Sequence, residues 1–127
     1  MNFDMVALPG GLPGATHLND EPLIHAILKR TYQNNRAVAA ICAAPLVLAN
    51  AGLLASKTAT CYPGTINPED WLDIHFVEDT VVIDDRVLTS RGPGTAIEFA
   101  LAIIAYLCDI PTRDKVASAL LLPTTSS

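Results

Sequence analysis

Asn34-Asn35-Arg36-Ala37-Val38-Ala39-Ala40-Ile41-Cys42-Ala43-Ala44-Pro45 is the stretch on which the fold turns. Two asparagines and an arginine reverse the chain, and Ala37 to Ile41 then make a continuous apolar run of strand length. A strand with no polar face is covered on both sides, the environment of a central parallel strand. Cys42 follows at once, and residues 43–51 read as a helix closed by Gly52. A cysteine between a buried strand and a helix stands where a sharp turn can expose its sulfur and where the helix N-terminus favours the thiolate. The small residues of Ala39-Ala40-Ile41-Cys42-Ala43-Ala44-Pro45 leave the steric room that a nucleophile elbow needs. On these residues alone a buried structural cysteine fits as well, because cysteine is a common core residue.

Upstream, Met5 to Leu8 is the first predicted strand, ending in Pro9, Gly10 and Gly11. Asn19, Asp20, Glu21 and Pro22 form a capped, acidic, proline-led start for a helix that carries Leu23, Ile24, Ile27 and Leu28 and runs to about Tyr32. Downstream, residues 58–61 form a short strand, and Asn67 and Pro68 open a brief helical turn. Residues 75–77, 81–83 and 87–89 are further strands, with Asp84 and Asp85 as the turn between the last two. Thr95 and Glu98 spell an S/T-x-x-E capping box for a helix through Ile103, Ile104 and Leu107. That helix is apolar on nearly every side, so it is expected to be buried in the domain or against a partner. The tail, residues 123–127, is expected to fray. Strand-length runs alternating with helical segments predict β-α units, hence an α/β fold with a mostly parallel sheet.

The 127 residues, 50% of them hydrophobic, suffice for the core of one domain. A net charge of −5 without a basic run argues against a nucleic-acid footprint or an anionic-membrane patch. Cys42, Cys61 and Cys108 are odd in number and widely spaced, which fits a reducing cytoplasm better than a secreted disulfide framework. Met1-Asn2-Phe3-Asp4 offers neither a basic n-region nor a long apolar stretch, so no secretory signal is expected. The longest apolar run, residues 99–108, is far below the roughly 20 residues that span a bilayer. A soluble, cytoplasmic protein is expected.

Gly10 and Gly11 end the first strand, where a parallel sheet places its ligand-binding loops, and glycine lets backbone N–H groups approach a reacting oxygen. With the N–H of Ala43 they could form an oxyanion hole; a plain turn is the other reading of the pair. His17 stands in the loop after the glycines, His25 on a helix face and His75 at a strand start. Neither His25 nor His75 has metal-ligand spacing with the cysteines, and no metal or cofactor is expected. Arg91, before Gly92-Pro93-Gly94, either contacts an anionic ligand or a dimer mate, or is an ordinary exposed arginine.

Leu8-Pro9-Gly10-Gly11, then Ala40-Ile41-Cys42-Ala43-Ala44-Pro45, then Leu88-Thr89-Ser90-Arg91-Gly92-Pro93-Gly94-Thr95 followed by Glu98-Phe99-Ala100, resemble in this order the ThiJ/PfpI superfamily, in the branch of the parkinsonism-associated protein deglycase. The resemblance covers nearly the whole chain, and three motifs in order are far more specific than any one. It implies a flavodoxin-like sandwich, a single partial domain over residues 1–127, usually dimeric, with Cys42 at the reactive-cysteine position. It also implies that the acidic residue that hydrogen-bonds the cysteine belongs to an earlier β-α unit. The chain is therefore expected to lack the first β-α unit and to be N-terminally truncated. Where some relatives carry a histidine, Cys61 and Tyr62 stand before Pro63, which leaves no obvious general base.

The function implied is a cysteine-dependent deglycase or glyoxalase acting on reactive aldehydes or glycated groups. The Cys42 thiolate would attack the carbon, Gly10, Gly11 and Ala43 would hold the oxyanion, and Tyr62 and Arg91 would bind substrate. An alternative is a redox-responsive or chaperone-like homodimer whose cysteine is oxidised to a sulfinic acid with little turnover. A glutamine-amidotransferase-like hydrolase would need a histidine and glutamate pair downstream of Cys42, and none suitable follows.

Overall fold

The elements follow in the order β1 (Met5–Leu8), α1 (Pro22–Gln33), β2 (Ala37–Ile41), α2 (Pro45–Asn50), β3 (Thr58–Ala59), a 3-10 turn (Pro68–Asp70), β4 (His75–Phe76), β5 (Val81–Asp84), β6 (Val87–Ser90), a second 3-10 turn (Pro93–Thr95), α3 (Ala96–Leu107) and α4 (Ile110–Ala119) in the computed structural model, which describes residues 4–8 and 21–119. Gly10, Gly11, His17 and the tail expected to fray lie outside the described residues. The main sheet has the order β1-β2-β6-β5. β1 and β6 flank β2 in parallel, and β5 returns antiparallel to β6. The architecture is the expected α/β fold with a mostly parallel sheet.

The central position of β2 follows from its composition. Ala37, Val38, Ala39 and Ala40 are all 1% exposed or less. With a side-chain period of two, Val38 and Ala40 join the core that contains Leu28 of α1, Leu48 of α2, Leu54 and Val87. Ala37 and Ala39 face the other way, into a cluster with Leu88 of β6 and Phe99 of α3. One strand thus carries helices on both faces, and its small side chains let both layers close on the sheet.

α1 starts as its sequence dictates: Pro22 holds the first turn and the Glu21 carboxylate accepts the Leu23 N–H at 3.2 Å. Asn35, at φ 61°, turns the chain into β2, a conformation that asparagine tolerates better than most residues. The expected helix over 43–51 is regular only at Pro45–Asn50, because the preceding residues are consumed by the elbow described below.

Other expectations need correction. β3 ends at Ala59 rather than at Cys61, since the Thr60 N–H donates to Thr89 Oγ1 and the Tyr62 N–H to the Cys42 carbonyl. Both bonds carry the chain away from β4 and onto the ends of β2 and β6. The hairpin turn sits at Asp85 and Arg86, not Asp84 and Asp85: Asp84 still pairs with Val87, and Asp85 takes φ 56°. Thr95 makes no capping box with Glu98, because its hydroxyl turns back to Ser90 and Gly92. Of the two expectations for α3, burial within the domain fails: Phe99 is buried, but Ile97 is 53% exposed and residues 101–105 are half-buried, so only burial against a partner stays open. α4 was not anticipated, although Asp109 caps it by accepting the Thr112 N–H at 2.7 Å. Among the described residues, no helix is long and apolar enough to cross a membrane.

Candidate active site

Cys42 adopts φ 65°, the left-handed region that costs a residue with a β-carbon roughly 1–2 kcal/mol. Such a conformation persists only where its surroundings pin it. Here three segments do so. The Cys42 N–H donates to the Ser90 carbonyl of β6 at 3.1 Å, the Cys42 carbonyl accepts the Tyr62 N–H at 2.8 Å, and the Ala44 N–H donates to Ile41 at 3.1 Å. α2 then starts on Pro45, with the Leu46 and Val47 N–H groups donating to Ala43 and Ala44. The result is a tight strand-to-helix elbow that leaves Cys42 half-buried and its thiol free, between an apolar strand and the buried Ala43 and Ala44. Among the described residues no acceptor takes the Ala43 N–H, so that donor is available beside the thiol.

The Ser90 carbonyl that holds the elbow is itself braced. Ser90 is fully buried, and its hydroxyl donates to the Thr80 carbonyl at 2.6 Å. The Ser90 and Thr95 hydroxyl oxygens lie 2.7 Å apart in a shared hydrogen bond, and the Thr95 hydroxyl also accepts the Gly92 N–H at 3.0 Å and lies 2.9 Å from the Gly92 carbonyl, to which it can donate. Two hydroxyls thus link the residue before β5, the end of β6 and the turn before α3, at the residue whose carbonyl accepts the Cys42 N–H.

Tyr62 closes the arrangement from the other side. Thr65 fixes its loop, donating both its N–H and its hydroxyl to the Tyr62 carbonyl. The Tyr62 ring is about half exposed and lies so close to Gly92 that a β-carbon there would stand 2.9 Å from Cδ1. A side chain at this approach would have to push the ring aside. The structure therefore brings together Cys42, Ala43, Tyr62 and the Ser90-Arg91-Gly92 segment. Arg91 is half-buried and makes none of the ion pairs formed among the described residues. Ser90, Thr95 and Thr80 were missed as site residues, for their role arises from pairings between distant segments and leaves no local pattern. His25 is half-buried on α1, and His75 is exposed opposite Thr58. Among the described residues no group of His, Cys, Asp and Glu could hold a metal ion.

A charged cluster occupies the opposite end of β6. The Tyr32 hydroxyl donates to Asp85 at 2.7 Å, while Lys57 and Arg86 approach the same carboxylate at 3.8 and 3.5 Å. The Arg86 guanidinium lies 4.3 Å from the Tyr32 ring centre and also donates to the Tyr32 carbonyl at 2.9 Å. The Tyr32 hydrogen bond, then Arg86 and Lys57, hold the Asp85 carboxyl below its usual range, and Tyr32 likewise raises the Lys57 ammonium. This cluster ties α1 to the β5–β6 hairpin and takes no part in the elbow.

The sequence profile of the DJ-1/PfpI family matches residues 1–106. The chain is 42% identical over 121 residues to the Drosophila melanogaster protein dj-1beta, covering 94% of this chain and 64% of that protein. It is 41% identical over 105 residues to the Caenorhabditis elegans glutathione-independent glyoxalase DJR-1.2, covering 83% of this chain and 55% of that one. The crystal structure of Drosophila melanogaster DJ-1beta superposes with a TM-score of 0.88 at 40% identity, over 96% of this chain and 66% of the other. Oxidised Toxoplasma gondii DJ-1 superposes with a TM-score of 0.86 at 37% identity, over 95% and 65%. The chain thus spans less than two thirds of the length of these two curated relatives.

Proposed function

Because the chain belongs to the DJ-1/PfpI family, we propose that it is a cysteine-dependent enzyme of the glyoxalase or deglycase kind, acting on reactive aldehydes or glycated groups through the Cys42 thiolate. The observation that carries this reading is the strained backbone of Cys42, φ 65°, pinned by Ser90, Tyr62 and the turn that opens α2. A structural cysteine has no need of a left-handed elbow, whereas a nucleophile does. The name of the C. elegans relative supports the glyoxalase class.

With a 2-oxoaldehyde such as methylglyoxal, the thiolate adds to the aldehyde carbon. An S–C bond forms and the carbonyl electron pair moves to oxygen, where the Ala43 N–H, with Gly10 and Gly11, stabilises the charge. Protonation gives a hemithioacetal. Through an enediol, the proton on that carbon passes to the adjacent carbonyl carbon and the hydroxyl proton to the adjacent carbonyl oxygen, which yields the thioester of a 2-hydroxy acid; water hydrolyses the thioester and releases Cys42 as the thiol. Tyr62 and Arg91 border this chemistry, since each lies on a segment hydrogen-bonded to the elbow. It works as a homodimer in the cytoplasm, and the exposed apolar side chains of α3 support the dimer. The test is methylglyoxal consumption: loss in Cys42→Ser with the fold retained supports the assignment, and activity that survives the substitution overturns it.

A second reading is a redox-responsive or chaperone-like dimer with little turnover. It is favoured by one feature of the elbow: among the described residues, neither a carboxylate nor a histidine hydrogen-bonds Cys42 to serve as a general base. Intact mass after mild peroxide treatment, compared with aldehyde consumption, separates the two readings.

A further inference from the structure

We infer that Cys42 and Cys61 form a reversible disulfide, with Cys42 as the thiol that meets the oxidant and Cys61 as the thiol that resolves it. The inference rests on the reading of Cys42 as a reactive thiol and goes beyond it by assigning a modification to a second residue.

Cys61 directly precedes Tyr62, whose N–H donates to the Cys42 carbonyl at 2.8 Å. Only a carbonyl, that bond and one peptide C–N link separate the two α-carbons. With standard bond lengths and trigonal bond angles they are at most about 7.6 Å apart, and any bend at the hydrogen bond brings them closer. Disulfides join α-carbons roughly 4.4–6.8 Å apart. Both thiols are free and half-buried, so neither is sealed in the core. Cys61 also lies beyond the last β3–β4 pair, at Ala59 and Phe76, so no ladder restrains the small adjustment that bonding needs. The flanking bonds, Thr60 N–H to Thr89 and Tyr62 N–H to Cys42, nonetheless keep it at the elbow. Cys108, by contrast, is exposed at the far end of α3.

The chemistry needs a hydroperoxide. The Cys42 thiolate attacks its O–O bond, so an S–O bond forms, the O–O bond breaks and an alcohol or water departs with the proton. Cys42 is oxidised by two electrons to a sulfenic acid while the peroxide is reduced. The Cys61 thiolate then attacks that sulfur: the S–S bond forms, the S–O bond breaks, and the oxygen leaves as water with the proton from Cys61. An exogenous dithiol reverses the bond and is oxidised in turn. Without Cys61, a second peroxide would carry Cys42 on to the sulfinic acid, which thiols do not reverse.

The full chain is treated with equimolar hydrogen peroxide at neutral pH, labelled with iodoacetamide and mapped by non-reducing peptide mass spectrometry; untreated protein is labelled in parallel. Cys42 and Cys61 should lose labelling together, appear as one linked pair and recover with dithiothreitol, while Cys108 stays labelled. Cys61→Ser should convert the Cys42 product to the sulfinic acid. If that variant does not fold, the map of the natural chain decides alone. A sulfinic acid on Cys42 beside a free Cys61 thiol, or a bridge from Cys42 to Cys108, overturns the disulfide and leaves the enzymatic reading intact. A Cys42 inert to both iodoacetamide and peroxide overturns both.

Discussion

The backbone N–H of Tyr62 donates to the carbonyl of Cys42 at 2.8 Å. A loop far along the chain is thereby bonded to the one strained residue that ends the central strand. Together with the Ser90 carbonyl on the other side, this bond makes the elbow a property of three segments rather than of the local sequence.

Reactivity at Cys42 should exceed what exposure alone provides. Cys108 is exposed while Cys42 and Cys61 are half-buried, so accessibility alone would make Cys108 the fastest to alkylate. The expected outcome is the reverse, with Cys42 labelled by iodoacetamide well ahead of both others at neutral pH. Time-resolved peptide mapping measures the order, and a lead by Cys108 would count against the nucleophile.

Replacing Ser90 by alanine should loosen the elbow without touching it. The buried hydroxyl donates to the Thr80 carbonyl and shares a hydrogen bond with the Thr95 hydroxyl, and leaving such partners unpaired costs roughly 1–3 kcal/mol. Urea unfolding should show that loss, and iodoacetamide labelling of Cys42 should slow. Ser90→Thr, which restores a hydroxyl, should recover part of the labelling rate. An unchanged rate in Ser90→Ala would mean that the hydroxyl chain braces the fold and not the thiol.

The Tyr32–Asp85–Lys57 cluster gives the protein a dependence on pH at both extremes. Asp85 has a carboxyl lowered from 3.8, so its stabilisation is present above that value and is lost as pH falls through the lower folded value. Lys57 is raised from 10.5, so its stabilisation is present below that value and is lost as pH rises through the higher folded one. Tyr32→Phe removes the leading cause of both shifts. The stability difference between the variant and the natural chain should be widest on the plateau between these limits and narrow beyond either, as followed by thermal melts across pH.

α3 should be a contact surface between copies. Ile97, Leu101 and Ile104 share one face by their helical spacing, yet Ile97 is 53% exposed and the other two are half-buried. Sedimentation should find a dimer for the natural chain and a shift towards monomer for Ile97→Glu. A natural chain that is monomeric at all concentrations would remove the support α3 lends to the dimer.

What could be read from the sequence was what residues specify locally. Ala37 to Ile41 announced a strand covered on both faces, Glu21 and Pro22 announced the start of α1, and the position of Cys42 announced a turn. What escaped was set by distant partners: the Thr95 hydroxyl looked like a helix cap until Ser90 and Gly92 claimed it, and residues 60–62 looked like strand until Thr89 and Cys42 drew them off β4. α4 was overlooked for another reason. Asp109 and Pro111 mark its start, but Arg113, Asp114 and Lys115 interrupt any apolar stripe, so periodicity gave nothing to read.

The closest approach at the site yields the sharpest test of Tyr62. A β-carbon at Gly92 would meet the Tyr62 ring at 2.9 and 3.3 Å, closer than packed carbons sit. Gly92 itself has φ 177°, ordinary extended backbone, so alanine there meets the ring and not the Ramachandran limits. The ring is about half exposed and can swing outward. Gly92→Ala should therefore cost stability at the low end of the roughly 1–3 kcal/mol typical of overpacking, while displacing Tyr62 from the side of the elbow. If Tyr62 helps to position the substrate, KM for methylglyoxal should rise in Gly92→Ala and in Tyr62→Ala alike. The double variant should then be no worse than Tyr62→Ala alone, since the clash has no ring left to meet. Additive losses would show instead that Gly92 acts on the site through Arg91 or Ser90, and that the tyrosine ring is only a cover.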